Sequence, residues 1–362
     1  MRRRGIFDFN IFSYFTRLGQ DLVSAPAFLG IDLGTSQIRI YLQGKGIILK
    51  EKSYIVQNIK TKEFIVFGDE AYDMLGKTPP NLRVFCPMEK GRVSDFDGVV
   101  YLLHKCIERG TAPYFRNSVL SRFNGLIGVP LGLTEVEEMA LVEVGQKVGA
   151  HNVFLVETPL AGGFGSGAPV MENTGTFLVD LGGGTIEVSL ISLGGVVLYK
   201  IMKLGGKDFT DALINYVRLR YGLLIGEKTA EEAKLHLGSV LTEKERVLEL
   251  SGRSIETGMP KTTQVKTNVL FEALFPYFSQ LVETIRDTLE QTPPELIKDI
   301  NTKGIFLSGM SSRIEDIDKF LEKELKIKIV LRDEPEYDVV RGLGWLIEHR
   351  DIMKKLSVKF EK

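Results

Sequence analysis

Two short stretches combine a carboxylate, glycine and a hydroxyl in an order that could handle phosphate. The first is Asp32-Leu33-Gly34-Thr35, followed by Ser36 and Gln37. The second is Asp180-Leu181-Gly182-Gly183-Gly184-Thr185. Each lies between apolar runs that read as strands. Glycine at such a bend lets backbone N–H groups come close to an anion, because no Cβ stands in the way. The threonines add hydroxyl donors. The carboxylates repel phosphate, so they make sense if a divalent cation, or its waters, lies between. One such turn alone reads as a tight hairpin. Two of them point to a clamp on a nucleoside triphosphate.

The surroundings of the turns repeat as well. "FLGIDLGTSQIRIYLQGKGIIL" from Phe28 and "FLVDLGGGTIEVSLISLGGVVL" from Phe177 share one plan. An apolar lead-in reaches Asp-Leu-Gly, an apolar strand follows, and a Gly-containing turn leads to a third apolar run. Asp32 answers to Asp180, and Thr35 to Thr185. The pattern predicts two similar lobes, each opening with a β-meander and continuing into helices. Between them, "SYIVQNI" and "FIVFG" read as short strands. "LTEVEEMALVEVGQKVGA" reads as a helix capped by Thr134 and Glu137, with Val136, Ala140, Val144 and Val148 on its apolar face. "NVFLVETP" reads as a strand running into a loop. Helices are expected near 207–221, 227–237 and 268–291, with a polar stretch before the last. "GIFLSG" reads as a buried strand. The helical pattern over 338–357 should pack back on the first lobe.

Composition agrees with a soluble, multi-domain chain. The 362 residues are 44% hydrophobic and 26% charged, with a net charge of −1. That leaves no basic excess for duplex nucleic acid. Cys86 and Cys106 have neither metal-ligand spacing nor a disulfide framework, which fits a reducing cytosol. No apolar run approaches the ~18 residues of a membrane span. The first residues, "MRRRGIFDFNIFSYFTRLGQDLVSAPA", instead place Phe7, Ile11, Tyr14, Phe15, Leu18 and Leu22 at helical spacing behind a basic start. This suits an amphipathic helix lying on a membrane surface better than a signal peptide.

The paired turns resemble the two phosphate loops of the actin, Hsp70 and sugar-kinase superfamily. Within it the chain resembles the MreB family of bacterial actins, from about residue 28 to its end. "GKGIIL", "GKTPP", "PMEKGRVSDFD", "IGVPLGLTEVE", "ISLGG", "IGEKTAEEAK", "TPPEL", "GIFLSG" and "MKKL" carry the likeness. The resemblance implies an α/β, actin-like ATPase fold. Two lobes, each a mixed β-sheet flanked by helices, would hold ATP and Mg²⁺ in the cleft between them. The implied division is a membrane-binding extension over 1–27 and a first lobe over 28–170, with a small insert at about 56–88. A second lobe over 171–338 has an insert at about 206–269, and 339–362 returns to the first lobe.

By position, the resemblance makes Asp32 and Asp180 the metal-facing catalytic carboxylates. Gly34, Thr35, Ser36 and Gln37 would line the first phosphate loop, and Gly182, Gly183, Gly184 and Thr185 the second. Gly205 and Gly206 would approach the nucleotide, Glu231 the ribose, and Gly309 and Met310 the adenosine. The implied partners are further copies of the chain in filaments, the inner face of the cell membrane, and membrane proteins of cell elongation and wall synthesis. A peripheral, cytoplasmic location follows. "RGTAPYFRNSVLSRF" sits where the family dips an apolar loop into the bilayer, with Tyr114 and Phe115 as its rings.

Three departures concern the nucleotide site. The family has a water-polarising Glu just before the Pro of "VETPLAGGFG"; here Thr158 holds that position and Glu157 precedes it. A one-residue shift in extended chain turns a side chain to the other face. Threonine cannot act as a base near neutral pH, and general-base help is typically worth about 10²–10⁴-fold. The adenosine segment "LSGMSSRIE" keeps only Gly309 of a glycine run, so Met310 and Ser311 bring side chains. Gln37 and Ile38 stand where the family prefers Asn and Thr. The expected function is therefore an ATP-binding filament protein of cell shape with slow hydrolysis. The alternatives are a non-hydrolysing paralogue that assembles with or regulates an active one, and a small-molecule kinase of the same fold.

Overall fold

A computed structural model describes residues 26–115, 122–236 and 246–361. The positions Phe7, Ile11, Phe15 and Leu18 lie outside these residues. The two repeated stretches form two antiparallel meanders, as the pattern predicts. The first runs through Ala27–Leu33, Gln37–Leu42 and Gly46–Lys52. The second runs through Thr176–Leu181, Ile186–Ser192 and Gly195–Met202.

Each meander is extended by parallel strands beside its first strand. In one lobe Phe123–Val129 and Ala150–Glu157 are added, with Val358–Glu361 antiparallel at the edge. In the other, Ile305–Ser308 and Ile329–Leu331 are added. The central strands are mostly apolar because both faces are covered, as parallel sheets require, with Asp32 and Asp180 near the ends of theirs. This is the two-lobed actin-like fold, with mixed sheets flanked by helices.

Two helices lie between the sheets. Thr158–Ser166 and Asp338–Glu348 pack on each other. They cross so closely that a Cβ on Gly342 would stand 1.7 Å from the Ala161 carbonyl oxygen, and one on Gly165 the same distance from that of Asp338. Their apolar faces, including Leu160, Ala161, Leu343, Leu346 and Ile347, join Leu126 of one sheet to Leu178 and Phe306 of the other. One buried cluster thus ties the lobes at the base of the cleft, while each lobe keeps its own core.

Four sequence expectations change. The helix Glu135–Lys147 has the Thr134 and Glu137 capping box, and Val144 and Val148 of the expected face are buried, but Val136 is 79% exposed, Ala140 is half-buried, and Leu141, Val142 and Gly145 join the core. Periodicity locates a stripe without saying which side of it the core takes. "NVFLVETP" ends in a helix, since Pro159 at its start is pre-set for helical φ. The polar stretch before 268 contains the hairpin Val247–Ser254 and Pro260–Lys266, which buries Leu250 and Val265 on one face. The terminal pattern packs on the first lobe but breaks at His349, after which Arg350–Leu356 is a separate helix.

Candidate functional site

The aspartates occupy matching places, each the penultimate residue of the first strand of its meander. The turns that follow are built alike. A Cβ on Gly34 would stand 2.8 Å from the Gln37 carbonyl oxygen, and one on Gly182 would stand 2.7 Å from that of Thr185. No side chain fits at either point, which is the reason for glycine. The same count corrects one expected correspondence: Thr35 stands at the place of Gly183, and Thr185 at that of Gln37.

The two tips meet. A Cβ on Gly183 would collide with Ser36 Oγ at 2.0 Å, and one on Gly184 would come within 2.5 Å of Thr35 Oγ1. Only bare backbone lets the second loop close on the first.

Backbone carbonyls on both loops are occupied by protein donors. On the first, Ser53 donates to Gly34 and Ser36, at 2.6 and 3.1 Å, and Cys86 Sγ donates to Thr35. On the second, the amides of Gly206 and Lys207 donate to Gly182 and Gly183, at 3.0 and 2.9 Å, and Ser311 Oγ donates to Gly182 at 3.3 Å. Carbonyl oxygens are what would repel an anion, and here they are engaged. Thr35 Oγ1 in turn accepts from the Gly91 amide at 2.9 Å.

The cavity between the hairpins measures about 90 Å³. Asp32, Gly34, Thr35, Ser36, Gln37, Thr158, Asp180, Gly182, Gly183, Gly184, Thr185, Gly309 and Met310 all line it. A larger cavity of about 720 Å³ shares Thr35 and Gly184 with it and opens between the two small inserts. The inserts touch through Tyr54 Oη, which donates to Glu227 Oε1 at 2.5 Å, and through a Lys228–Asp73 ion pair.

Four expected residues are placed elsewhere. Gly205 and Gly206 lie behind the second loop, packed on its carbonyls. Glu231 lines a separate small cavity with Ser36, Lys52 and Thr210. Burial would raise its carboxyl, but Lys234 and the Thr210 hydroxyl hold it below its ordinary value. Glu157 is half-buried and does not line the cavity; burial, then Glu138, pushes its carboxyl up.

At the surface, Tyr114 is 44% exposed with Lys45 Nζ 5.9 Å from its ring, whereas Phe115 packs on the first-lobe core. Among the described residues no helix is long and apolar enough to cross a membrane.

The acids differ sharply in what stands across the strand. Arg39 is the ladder partner of Asp32 and Glu187 that of Asp180. Arg39 is 6% exposed; Nη1 donates to Asp32 Oδ2 at 3.0 Å and Nη2 to Gln37 Oε1 at 2.6 Å. Burial still raises the Asp32 carboxyl, against the pull of Arg39. Asp180 Oδ1 and Glu187 Oε2 are buried without a hydrogen-bond partner. Burial, opposed by the Ser308 hydroxyl and helped by Asp32, pushes Asp180 up to about 6; burial and then Asp180 push Glu187 well above its usual range. Both Arg39 and Glu187 line the cavity, and both were missed in sequence. Each lies seven positions after its aspartate (39 against 32, 187 against 180), the offset that the hairpin register sets.

A divalent cation fits one side of this site. The orphaned oxygens of Asp180 and Glu187 are hard donors that such an ion would satisfy. Asp32 is already engaged by a guanidinium. Among the described residues, no group of three or more His, Cys, Asp and Glu side chains is arranged to hold a metal by itself.

A family model described as MreB/Mbl protein matches residues 26–355. The cell shape-determining protein MreB of Escherichia coli (strain K12) is 38% identical over 330 residues, covering 90% of this chain and 94% of that protein. The cell shape-determining protein Mbl of Bacillus subtilis (strain 168) is 32% identical, covering 90% and 97%. Among solved structures, MreB 5 of Spiroplasma citri bound to AMPPNP superposes with a TM-score of 0.85 at 29% identity, covering 92% of this chain and all of that one. The MamK double helical filament shares the fold, with a TM-score of 0.73 at 23% identity.

Proposed function

The chain belongs to the MreB/Mbl family, and from that premise we propose that it is a bacterial actin that binds ATP in the cleft between its lobes. It polymerises on the inner face of the cell membrane and helps to determine cell shape. The observation that carries this reading is the closure of two glycine-lined acidic turns on one cavity, with their carbonyls occupied by protein donors. A triphosphate is the ligand such a clamp suits. The AMPPNP bound by the Spiroplasma relative supports the same ligand class.

The turns hold and orient the phosphates. Asp180, with its unpartnered oxygen, would hold Mg²⁺ or its waters; the ion supplies positive charge against the β- and γ-phosphates. Thr158 faces the cavity where a water could be ordered, but a hydroxyl takes no proton at neutral pH. Glu157 does not line the cavity. Hydrolysis is therefore slow, and the protein acts chiefly as a nucleotide-stabilised polymer subunit. This favours, as the second reading, a non-hydrolysing family member that assembles with an active one. Membrane attachment rests on residues 1–24 together with Tyr114, two weak anchors that a filament multiplies.

The test is pelleting of the full chain on anionic vesicles with ATP, ADP or neither, alongside phosphate release. ATP-dependent pelleting with slow release is expected. Thr158→Glu should raise release by at least about tenfold, since it restores a carboxylate at the cavity. Pelleting that ignores nucleotide would refute the proposed polymer role.

A further inference from the structure

The cross-strand partner of Asp32 has a consequence for how the cleft neutralises phosphate. Asp32, Asp180, Glu187 and Glu336 all line the cavity, so a bound triphosphate would meet a strongly acidic wall. Arg313 Nη1 holds Glu336 at 2.7 Å from outside. Arg39 is the cation inside the lining itself. Its guanidinium is fixed from three directions: by Asp32, by Gln37, and by the Tyr337 ring with its centroid 5.6 Å from Cζ. Nε–H is buried and has no acceptor. A guanidinium presents five donors in a rigid fork. Arg39 lines the cavity, and its fork keeps a donor that no protein acceptor takes, a capacity that an anionic oxygen brought to the guanidinium would use.

We infer that Arg39 is a built-in counter-cation for the nucleotide phosphates, which does at Asp32 what a divalent ion would otherwise do. This rests on the reading that a nucleotide occupies the cleft. A metal at Asp32 would have to displace the guanidinium from its ion pair. A metal at Asp180 would not. The cleft is thus lopsided, with an ion on the Asp180 side and a side chain on the Asp32 side. Nucleotide binding then depends on metal only in part.

The test is titration of the full chain with a fluorescent ADP, in excess Mg²⁺ and in excess EDTA. The wild-type protein should lose less than about fivefold in affinity on chelation. Arg39→Leu should bind several-fold more weakly than wild type in Mg²⁺ and lose at least about thirtyfold more in EDTA, because hydrogen bonds to charged groups are individually strong. Arg39→Lys, which keeps a charge but not the fork, should fall between. Thermal unfolding of each variant checks that it is folded, and the wild-type arm stands without any variant. If wild-type binding is present in Mg²⁺ and abolished by EDTA, the inference is overturned while the nucleotide reading survives. If chelation costs wild type and Arg39→Leu the same factor, Arg39 is only a structural ion pair and the inference again fails. Absence of binding in both buffers would sink the nucleotide reading, and the inference with it.

Discussion

The two Asp-Leu-Gly hairpins share backbone and differ in charge. Each has an aspartate one residue from the end of its first strand, a glycine turn of equal length, and a ladder partner seven positions on. In one the partner is Arg39 and the acid is satisfied; in the other it is Glu187 and the acid is orphaned. Fold repetition fixes where a side chain points. It does not fix the sign of the charge that faces it. The acid of the first hairpin therefore has its counter-charge without a ligand, and that of the second needs a cation or a proton.

The largest expected effect tests the completed side. Asp32→Asn leaves the Arg39 guanidinium buried without its counter-charge. Removing one partner of a buried pair costs far more than the pair contributes, so the ligand-free chain should lose about 3 kcal/mol of stability in urea unfolding. Gln37 and Tyr337 remain to Arg39 and neither is charged, and Asp180, on which the Arg39 charge already pulls, has no hydrogen bond to it. A loss under about 1 kcal/mol would show that the two hairpins are less different than their charges suggest.

The orphaned side should respond with the opposite sign. Asp180 has a carboxyl pushed up to about 6, against an ordinary value of 3.8. Between those values the folded chain holds a proton that the unfolded chain has released. Stability falls as pH rises through that window and stays reduced above it. Asp180→Asn removes this penalty. The ligand-free variant should be more stable than wild type by about 1–3 kcal/mol at pH 8 and no more stable below pH 4. Asp338, fully buried and pushed up to about 7 chiefly by burial, keeps part of the pH slope in the variant. Equal stability of variant and wild type at pH 8 would mean that water or a neighbour satisfies Asp180.

What could be read in advance divides along the same line. The hairpins were legible because turn chemistry is local: Asp-Leu-Gly between apolar runs is a bend with a function, and its repetition marks the lobes. The family resemblance supplied the cleft. Arg39 and Glu187 were not singled out, because cross-strand pairing is not local; it needs the turn length, and then an offset of seven. Thr158 was singled out through its neighbour Pro159, and it lines the cavity. The exposed face of Val136 was misassigned because an amphipathic stripe next to charged residues looks the same from either edge. The Val247–Lys266 hairpin was invisible because its strands are mostly exposed and its apolar residues few.

The smallest effect is the most specific. Asp180 and Glu187 repel each other, and that repulsion is part of what raises Glu187. Glu187→Gln and Asp180→Asn should each stabilise the ligand-free chain, and the double variant should gain less than their sum, by about 0.5–1 kcal/mol. Coupling of this kind needs both carboxylates ionised, so, measured at pH 6 and at pH 9, it should be the larger at the higher pH, Asp180 being pushed up to about 6. A cycle between Glu187 and Asp32 serves as the control, because Arg39 screens Asp32 and no charge from it is among the causes that raise Glu187. Coupling there should be near zero at both pH values. If the two cycles gave the same coupling, the acids would be acting as one diffuse negative patch. The assignment of a satisfied hairpin and a waiting one would then have to be abandoned.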